Sequence, residues 1–225
     1  MDYRHYVMYD YETTDSNPQR CEICQIGAVA VNRYNLQIKD RFVSDCKPEN
    51  FDNINPKALQ VNKFTIERLE AAPKMRVVWP SFVAFVRRHS MGKGDNSYTY
   101  PISGGYGIET FDSIITSRYC KKYGQWNKNR EQATLFNPVF NFDVQRHIWF
   151  WFHNNPDIKN IKLTTVLEYM GVSKTVLESA HDALFDAEWA AKIGIRLLTV
   201  ARNLTDINEA TGKRRMCMKG CFSNG

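Results

Sequence analysis

The sequence lacks the features of secreted, membrane-spanning and nucleotide-cofactor proteins. Its six cysteines among 225 residues are too few and too unevenly spaced for a disulfide scaffold. No apolar run approaches the roughly 20 residues that cross a bilayer, and no charged leader with an apolar core precedes the first strand-like residues. A glycine-rich phosphate-binding fingerprint after a strand is also missing. We therefore expect a reduced, soluble protein of the cytoplasm with no membrane partner and no heme or nucleotide cofactor.

What the chain does have is an excess of positive charge. Its formal net charge of +6 favours a polyanionic partner, and nucleic acid is the first expectation. The basic residues fall into three groups, which are Arg87, Arg88 and Lys93; Arg118, Lys121, Lys122, Lys128 and Arg130; and Lys213, Arg214 and Arg215. Each group is equally well explained as a solvated surface, so only a group beside an active cleft is expected to contact phosphates.

The hydrophobic pattern predicts an α/β domain. Residues 5–10, 26–31 and 38–43 have the composition of strands, and their short connections favour an antiparallel meander. Helices and strands alternate in the rest of the chain. We expect helices after Asn55 and Thr65 and over 77–89, 111–123, 144–154, 163–172 and 182–202, strands near 101–107 and 139–143, and loops at 90–101 and 124–138. The length suits one domain at 1–203, followed by a polar tail at 204–225.

Four acidic residues and one histidine carry the strongest functional signal. Asp10 and Glu12 stand two apart at a strand end, so both carboxylates point to the same face and can share one cation. Asp112 begins a helix, where capping is the ordinary explanation. Asp186 lies one turn into the longest helix, and a buried unpaired carboxylate needs a proton, a basic partner or an ion. His181, just before this helix, is suited to accept a proton from water. Gathered carboxylates indicate metal, because like charges repel unless cations neutralise them.

These residues stand in three motifs, which are YDYETTD at 9–15, YGIETFDSII at 106–115 and AHDALFDAEWAA at 180–191. In order and spacing they resemble the DEDDh branch of the 3′ to 5′ exonucleases, the superfamily of polymerase proofreading subunits, RNase T and oligoribonuclease. The likeness spans about residues 5–200. The sister branch that uses a tyrosine is disfavoured, because Asp182 occupies the position of that tyrosine.

The resemblance implies a ribonuclease H-like fold, in which a mixed central sheet is flanked by helices. It also implies that Asp10, Glu12, Asp112 and Asp186 hold two divalent ions, Mg²⁺ or Mn²⁺, because oxygen ligands suit hard cations. His181 would act as the general base. In-line attack of a metal-activated water on the last phosphodiester would then release a nucleoside 5′-monophosphate.

The resemblance also suggests substrate contacts and shows two departures from the family pattern. Main-chain groups near Thr13 and Thr14 are expected to seat the terminal sugar, and Phe111 is expected to pack beneath the aspartate that follows it. Asp15 replaces a glycine that is common after the paired threonines, which could alter how the terminal nucleotide is seated. Ile108 stands where many members carry asparagine, which could change how the cleft is buttressed. Neither departure removes a metal ligand.

The expected function is a metal-dependent 3′ to 5′ exonuclease that acts on nucleic acid 3′ ends, with single-stranded DNA favoured. An exoribonuclease of the same fold is the alternative, because the choice depends on how the cleft treats the 2′-hydroxyl group. A non-catalytic domain that grips nucleic acid ends or docks on a polymerase is disfavoured, since all five catalytic-type residues are present. Replication or repair proteins would be the protein partners.

Two further features have competing explanations. Cys21 and Cys24 could join Cys217 and Cys221 in a four-thiolate zinc site, but their spacing favours buried or incidental thiols. The aromatic run Trp149, Phe150, Trp151 and Phe152 could stack bases in a single-strand groove. We expect this run to pack in the hydrophobic core instead.

Overall fold

A computed structural model describes residues 5–92, 96–203, 205–207 and 214–216. The strands are β1 (His5–Thr13), β2 (Ile23–Asn32), β3 (Ile38–Asp45), β4 (Ile102–Gly105), β5 (Trp126–Asn127), β6 (Gln132–Ala133), β7 (Asn141–Asp143), β8 (Thr205–Ile207) and β9 (Arg214–Met216). The helices are α1 (Pro56–Asn62), α2 (Ile66–Ala71), α3 (Met75–Arg87), α4 (Asp112–Tyr123), α5 (Val144–Phe152), α6 (Leu163–Tyr169), α7 (Lys174–Leu177) and α8 (Ala183–Asn203). Short 3₁₀ turns occupy Phe51–Asn53 and Ser97–Thr99.

Five strands form one mixed sheet in the order β3-β2-β1-β4-β7. The first three strands are antiparallel neighbours, whereas β4 pairs in parallel with both β1 and β7. β2 is an almost continuous buried run, as expected of a strand that is covered on both faces of the sheet. The predicted antiparallel opening and the mixed sheet with flanking helices are confirmed, and β1 lies at the centre of the sheet.

Each face of the sheet has its own hydrophobic core. On one face, alternate residues of β1 pack with the aromatic side chains of α3 and with residues of α4. On the other face, Met8 of β1 and Val29 of β2 pack against α5, α6 and α8. The sheet side of α8 is built from small residues, Ala187, Ala190 and Ala191, so its backbone lies close to the strands. This close packing brings the start of α8 to the central strand.

Side chains that were expected to start helices do so. Asn55 accepts a hydrogen bond from the backbone N–H of Lys57, with proline at the first position of α1. Thr65 accepts from the backbone N–H of Arg68 and begins α2. Both side chains satisfy N–H groups that have no partner within the helix.

Three stretches differ from the expectation. Residues 124–138 were expected to be loop, but they contain the two-residue antiparallel pair of β5 and β6. The short helix α7 was not predicted. The segment 204–225, expected to be a polar tail, contains the antiparallel pair of β8 and β9. Strands of two or three residues and a four-residue helix are too short to show an apolar period, which explains why the pattern did not reveal them.

The expectation that the aromatic run on α5 packs in the core is wrong for three of its four members. Trp149, Phe150 and Trp151 are 54%, 70% and 53% exposed. The buried stripe of α5 follows the helical spacing of Val144 and Ile148, and Phe152 continues it as a partly buried neighbour of the core. The other three side chains lie off this stripe, so their apolar character does not bury them.

The described cysteines are buried and free. They are Cys21, Cys24, Cys46 and Cys120. Burial raises the pKa of the Cys21 thiol to about 11, and burial also raises the pKa of the Cys24 thiol. The other two members of the considered zinc site, Cys217 and Cys221, lie outside the described residues. Within the described part of the chain, no helix combines the length and apolar content that crossing a bilayer requires.

A pair of phenylalanine variants tests the assignment of core and surface. Phe82 is fully buried and its ring contacts those of Tyr9, Phe42 and Trp79. Phe82→Ala should lower the free energy of unfolding by about 3–5 kcal/mol because it leaves a cavity. Phe150→Ala should change that free energy by no more than about 0.5 kcal/mol. Urea denaturation measures both, and equal losses would show that the exposed face of α5 is in fact packed.

Candidate active site

The centre of the site is the carboxyl end of β1. Asp10 and Glu12 project from the same face of the strand as Met8, which is the face that α8 covers. Asp10 is half-buried and Glu12 is 6% exposed. Two carboxylates therefore sit side by side where the central strand meets the start of the longest helix.

Gly27 allows that helix to come close. It pairs with Asp10 across β1 and β2, and a Cβ atom at Gly27 would lie 2.1–2.2 Å from main-chain atoms of Ala183 and Leu184. No side chain fits in this space without moving α8. The missing side chain therefore lets the first turn of α8, which contains Asp186, approach the strand that contains Asp10 and Glu12.

The structure brings together Glu12, His181 and Asp186. One ligand atom from each lies within 4.8 Å of the others. Asp10 lies two residues before Glu12 on the same face of β1, and burial, followed by the charges of Asp112, Asp186 and Glu12, raises its pKa. The five side chains that the sequence motifs single out thus meet at one place, although they are up to 176 residues apart in the chain.

Asp112 reaches the site from the start of α4. Its Oδ1 atom accepts a hydrogen bond of 3.2 Å from the backbone N–H of Tyr11, which lies between the two acidic residues of β1. The loop before α4 is held by Asp143 at the end of β7. That carboxylate accepts hydrogen bonds from the backbone N–H groups of Gly107 (3.0 Å) and Glu109 (3.2 Å). Asp112 is therefore fixed from both sides, and it is 5% exposed.

Burial and mutual repulsion make these carboxyl groups reluctant to ionise. Burial, followed by the charges of Asp186 and Asp112, raises the pKa of Glu12 to about 8. Burial raises the pKa of Asp112 and that of Asp186 to about 7 each. The pKa of Asp10 is raised well above its usual range by burial and then by Asp112. The group can carry its full negative charge near neutral pH only if a cation compensates it.

The donor atoms fit divalent metal ions. Asp186 Oδ1 is buried and has no hydrogen-bond partner among the described residues. A buried carboxylate oxygen without a partner is costly, and a metal ion would remove this cost. The cluster that could hold an ion combines carboxylate oxygens of Glu12 and Asp186 with one imidazole nitrogen of His181, and the carboxylate oxygens suit hard cations such as Mg²⁺ and Mn²⁺.

His181 lies in a strained backbone conformation just before α8. Its φ angle is +67°, in the left-handed region that non-glycine residues rarely adopt. Partial burial, followed by the positive charge of Lys63, lowers the pKa of the imidazole below its usual 6.5. The ring is therefore neutral at pH 7 and able to accept a proton.

Gln25 anchors the segment that contains His181. Its Oε1 atom accepts a hydrogen bond of 2.8 Å from the backbone N–H of Ala183, and its amide donates to Asp45 and Asp182. Asp182 in turn accepts from the backbone N–H groups of Leu184 and Phe185, both at 3.1 Å, and so caps α8. Neither residue was predicted to shape the site. Asp182 has the local signature of a helix cap, whereas Gln25 acts across 158 positions and leaves no local pattern.

Thr13, Thr14 and Phe111 lie close to these acidic residues. Thr13 donates its hydroxyl to the carbonyl of Asp15, and its own carbonyl accepts from the side chain of Asn62. Thr14 makes hydrogen bonds to Glu22 through its backbone N–H and its hydroxyl oxygen. Phe111 is half-buried against the core beside α4. These contacts shape the turn after β1, and roles of the three residues in binding substrate stay predictions.

The two departures from the family pattern have clear structural settings. Asp15 is buried. It accepts a hydrogen bond from the backbone N–H of Asn17 (2.8 Å) and forms an ion pair with Arg20 (3.2 Å). That backbone hydrogen bond is the main cause of its lowered pKa. Ile108 is fully buried in the core under α4. The carboxylate of Asp15 therefore has partners within the protein, and the apolar side chain of Ile108 packs in the core.

The described members of the basic groups mostly make structural contacts. Arg88 pairs with Asp40, and Lys122 pairs with Glu49. Arg118 donates to the carbonyls of Pro18 and Cys21, and Arg87 donates to that of Thr134. Lys93 and Lys213 lie outside the described residues, as do the side chains of Arg214 and Arg215. The cations that line the cavity beside the imidazole are instead Lys63 and Arg68, which the composition did not single out.

Comparison with known families supports the resemblance that the motifs predicted. Residues 7–103 match the RNase_T family of exonucleases. The matched residues include Asp10 and Glu12, and they end before Asp112, His181 and Asp186. The resemblance to the DEDDh exonucleases that the motifs predicted is confirmed.

Curated relatives of the chain include two PolC-type DNA polymerases. The PolC-type DNA polymerase III of Clostridium perfringens is 27% identical over 189 residues, which are 84% of this chain and 11% of the polymerase. The PolC-type enzyme of Caldanaerobacter subterraneus subsp. tengcongensis is 26% identical over 222 residues, or 95% of this chain and 13% of the polymerase. The chain thus spans a small part of each relative.

Solved exonucleases share the fold. Escherichia coli exonuclease I in complex with a dT13 oligonucleotide has a TM-score of 0.66 at 15% identity, and the likeness covers 87% of this chain and 41% of that one. The nuclease domain of 3'hExo, a DEDDh family member bound to rAMP, has a TM-score of 0.61 at 19% identity, with 96% and 98% covered. The predicted ribonuclease H-like fold is confirmed.

The raised pKa values of the acidic residues predict how stability depends on pH. Without metal, Glu12, Asp112 and Asp186 bind protons in the folded state up to about pH 7–8, whereas unfolded carboxyl groups release them near pH 4. The free energy of unfolding in chelator should therefore fall between about pH 4 and pH 8, by at least about 2 kcal/mol. Urea denaturation at several pH values measures this slope.

Added Mn²⁺ and an aspartate variant serve as controls for the pH slope. Mn²⁺ should stabilise the protein far more at pH 8 than at pH 5, because it competes with the protons. Asp186→Asn removes one of the repelling charges and should flatten the slope. A stability in chelator that rises over this pH range would contradict the electrostatic description of the site.

Proposed function

We propose that this chain is a metal-dependent 3′ to 5′ exonuclease that releases nucleoside 5′-monophosphates, with single-stranded DNA as the favoured substrate. The observation that carries the proposal is the meeting of four carboxylates and one imidazole at the end of β1. The match of residues 7–103 to the RNase_T exonucleases supports phosphodiester hydrolysis, and the Asp186 Oδ1 atom without a partner among the described residues supports a metal ion.

The protein's side chains divide the work by their chemistry. Asp10, Glu12, Asp112 and Asp186 would hold two divalent ions between the strand and the two helix starts. When bound, these ions would activate water and stabilise the departing 3′ oxygen. His181, kept neutral by burial and by Lys63, would accept the proton of the attacking water on a ring nitrogen. The strained backbone at His181 and the cap at Asp182 would keep the imidazole at the carboxylates.

The proposed substrate preference rests on the substrates of similar proteins. The similarity to exonuclease I, which was solved with a dT13 oligonucleotide, supports DNA as the substrate of this chain. The similarity to DNA polymerases supports the same substrate. The 3'hExo domain bound rAMP, which keeps an exoribonuclease as the second candidate. Since the chain spans only 11–13% of the polymerase relatives, an association with replication proteins belongs to the proposal as well.

A carboxylate variant tests the catalytic assignment. Asp186→Asn should abolish hydrolysis of 5′-labelled oligonucleotides in Mg²⁺ or Mn²⁺, because it removes a ligand at the centre of the site. Asp157→Asn, which changes an exposed carboxylate after α5, should leave the rate unchanged. The substrates are matched DNA and RNA oligonucleotides, single- and double-stranded, with chelator as the blank. Turnover that survives in Asp186→Asn would sink the ligand assignment, and faster digestion of RNA would reverse the preference.

A histidine variant tests the proton transfer. His181→Ala should lower the rate by about 10²–10⁴-fold, which is the usual contribution of a general base. The variant should still bind Mn²⁺, which can be measured as an increase in the temperature of thermal unfolding. The acidic limb of the pH–rate profile should lose the contribution of the imidazole. An unchanged profile in the variant would exclude the base role and leave the metal site standing.

A further inference from the structure

Two strained residues line the same cavity beside the carboxylates. Lys63, at the corner between α1 and α2, has a φ of +57°, and His181 has a φ of +67°. Both line a cavity of about 450 Å³ between this corner and the start of α8. Strained non-glycine residues persist where surrounding contacts hold them, and they concentrate at functional sites. The α1–α2 corner and the segment before α8 thus meet at this cavity.

The side chain of Lys63 connects the α1–α2 corner to the segment before α8. Lys63 Nζ donates hydrogen bonds to the main-chain carbonyls of Glu178 (2.5 Å) and Ala180 (3.3 Å). Ala180 directly precedes His181, so the ammonium group holds the segment that carries the imidazole. An ammonium donates to carbonyls with a charge-assisted hydrogen bond, which is stronger than a neutral one.

The other end of the link is fixed to the central strand. Asn62, the neighbour of Lys63, is buried and donates its amide to the carbonyl of Thr13 at 3.0 Å. Thr13 follows Glu12 at the end of β1. A chain of contacts therefore runs from the strand with the carboxylates, through the α1–α2 corner, to the residue before His181.

We propose that Lys63 is a positioning residue that latches the segment 178–181 to the corner at 62–63 and so places His181 at the carboxylates. The proposal rests on the proposed function. The charge of Lys63 is felt at Glu12, Asp186 and His181, which agrees with this placement. The contact with two carbonyl oxygens favours a latch over a phosphate ligand, because two of the three N–H donors of the ammonium group are directed to the main chain.

The conformation of Lys63 allows a variant that separates the latch from folding. Glycine adopts positive φ without strain, so Lys63→Gly should fold at least as well as the natural protein while lacking the latch. Lys63→Arg keeps a cation that can reach the same carbonyls. Lys57→Met, on the exposed side of α1, is the matched control for the loss of a positive charge near the cavity.

Steady-state kinetics on a 5′-labelled oligonucleotide gives the first measurement. Lys63→Gly should lower kcat by about tenfold to a hundredfold, the range expected for a misplaced catalytic group, with KM changed less than about threefold. Lys63→Arg should recover most of the rate, and Lys57→Met should match the natural protein. An increase in KM with kcat unchanged would overturn the proposal and make Lys63 a substrate ligand.

Hydrogen exchange followed by mass spectrometry gives a second measurement that does not need activity. In chelator, the peptide covering 178–183 should exchange faster in Lys63→Gly than in the natural protein or in Lys63→Arg. Unchanged exchange would overturn the latch. If Lys63→Gly exchanges faster than the natural protein, but the natural protein cleaves no oligonucleotide with any metal, the proposed nuclease function fails while the latch itself stands.

Discussion

Repulsion between carboxylates in a poorly hydrated space is the interaction on which the site depends. Asp10, Glu12, Asp112 and Asp186 each have a pKa raised first by burial, and the charges of other members of this group raise the pKa of Asp10 and Glu12 further. Folding brings these groups together against an electrostatic cost, which the two hydrophobic cores on the faces of the sheet offset. The same cost becomes binding free energy for cations, because a divalent ion removes the repulsion and supplies partners for buried oxygens.

The architecture distributes this cost over independent elements. β1 supplies two carboxylates from the middle of the sheet, and the starts of α4 and α8 supply one each from opposite faces. Each element is secured by its own contacts, such as the hydrogen bonds of Asp143 behind α4 and those of Gln25 behind α8. The four carboxylates can therefore lie close together without any single loop having to hold them all.

Much of the fold, and the side chains that gather in the candidate site, could be predicted from sequence. The opening strands, α3 and α8 have strong apolar periods, and Asn55 and Thr65 are local helix-start signals that need no tertiary information. The order of the acidic motifs gave the five central side chains. Gln25 and Lys63 could not be found in this way, because they act through hydrogen bonds to residues 115–158 positions away.

Composition misled where burial depends on the orientation of a helix. The rings of Trp149, Phe150 and Trp151 were expected in the core because they are apolar, yet only the stripe through Val144 and Ile148 faces it. The basic groups misled in the opposite direction, since their described members mostly hold the protein together. The cations that line the cavity, Lys63 and Arg68, belong to none of these basic groups.

The contact at Gly27 has a mechanical consequence. A Cβ atom at Gly27 would overlap main-chain atoms at the start of α8, so the approach of this helix to the sheet depends on the absence of a side chain there. The separation of the β1 carboxylates from Asp186 is therefore set by the dense packing of helix against sheet, which resists deformation.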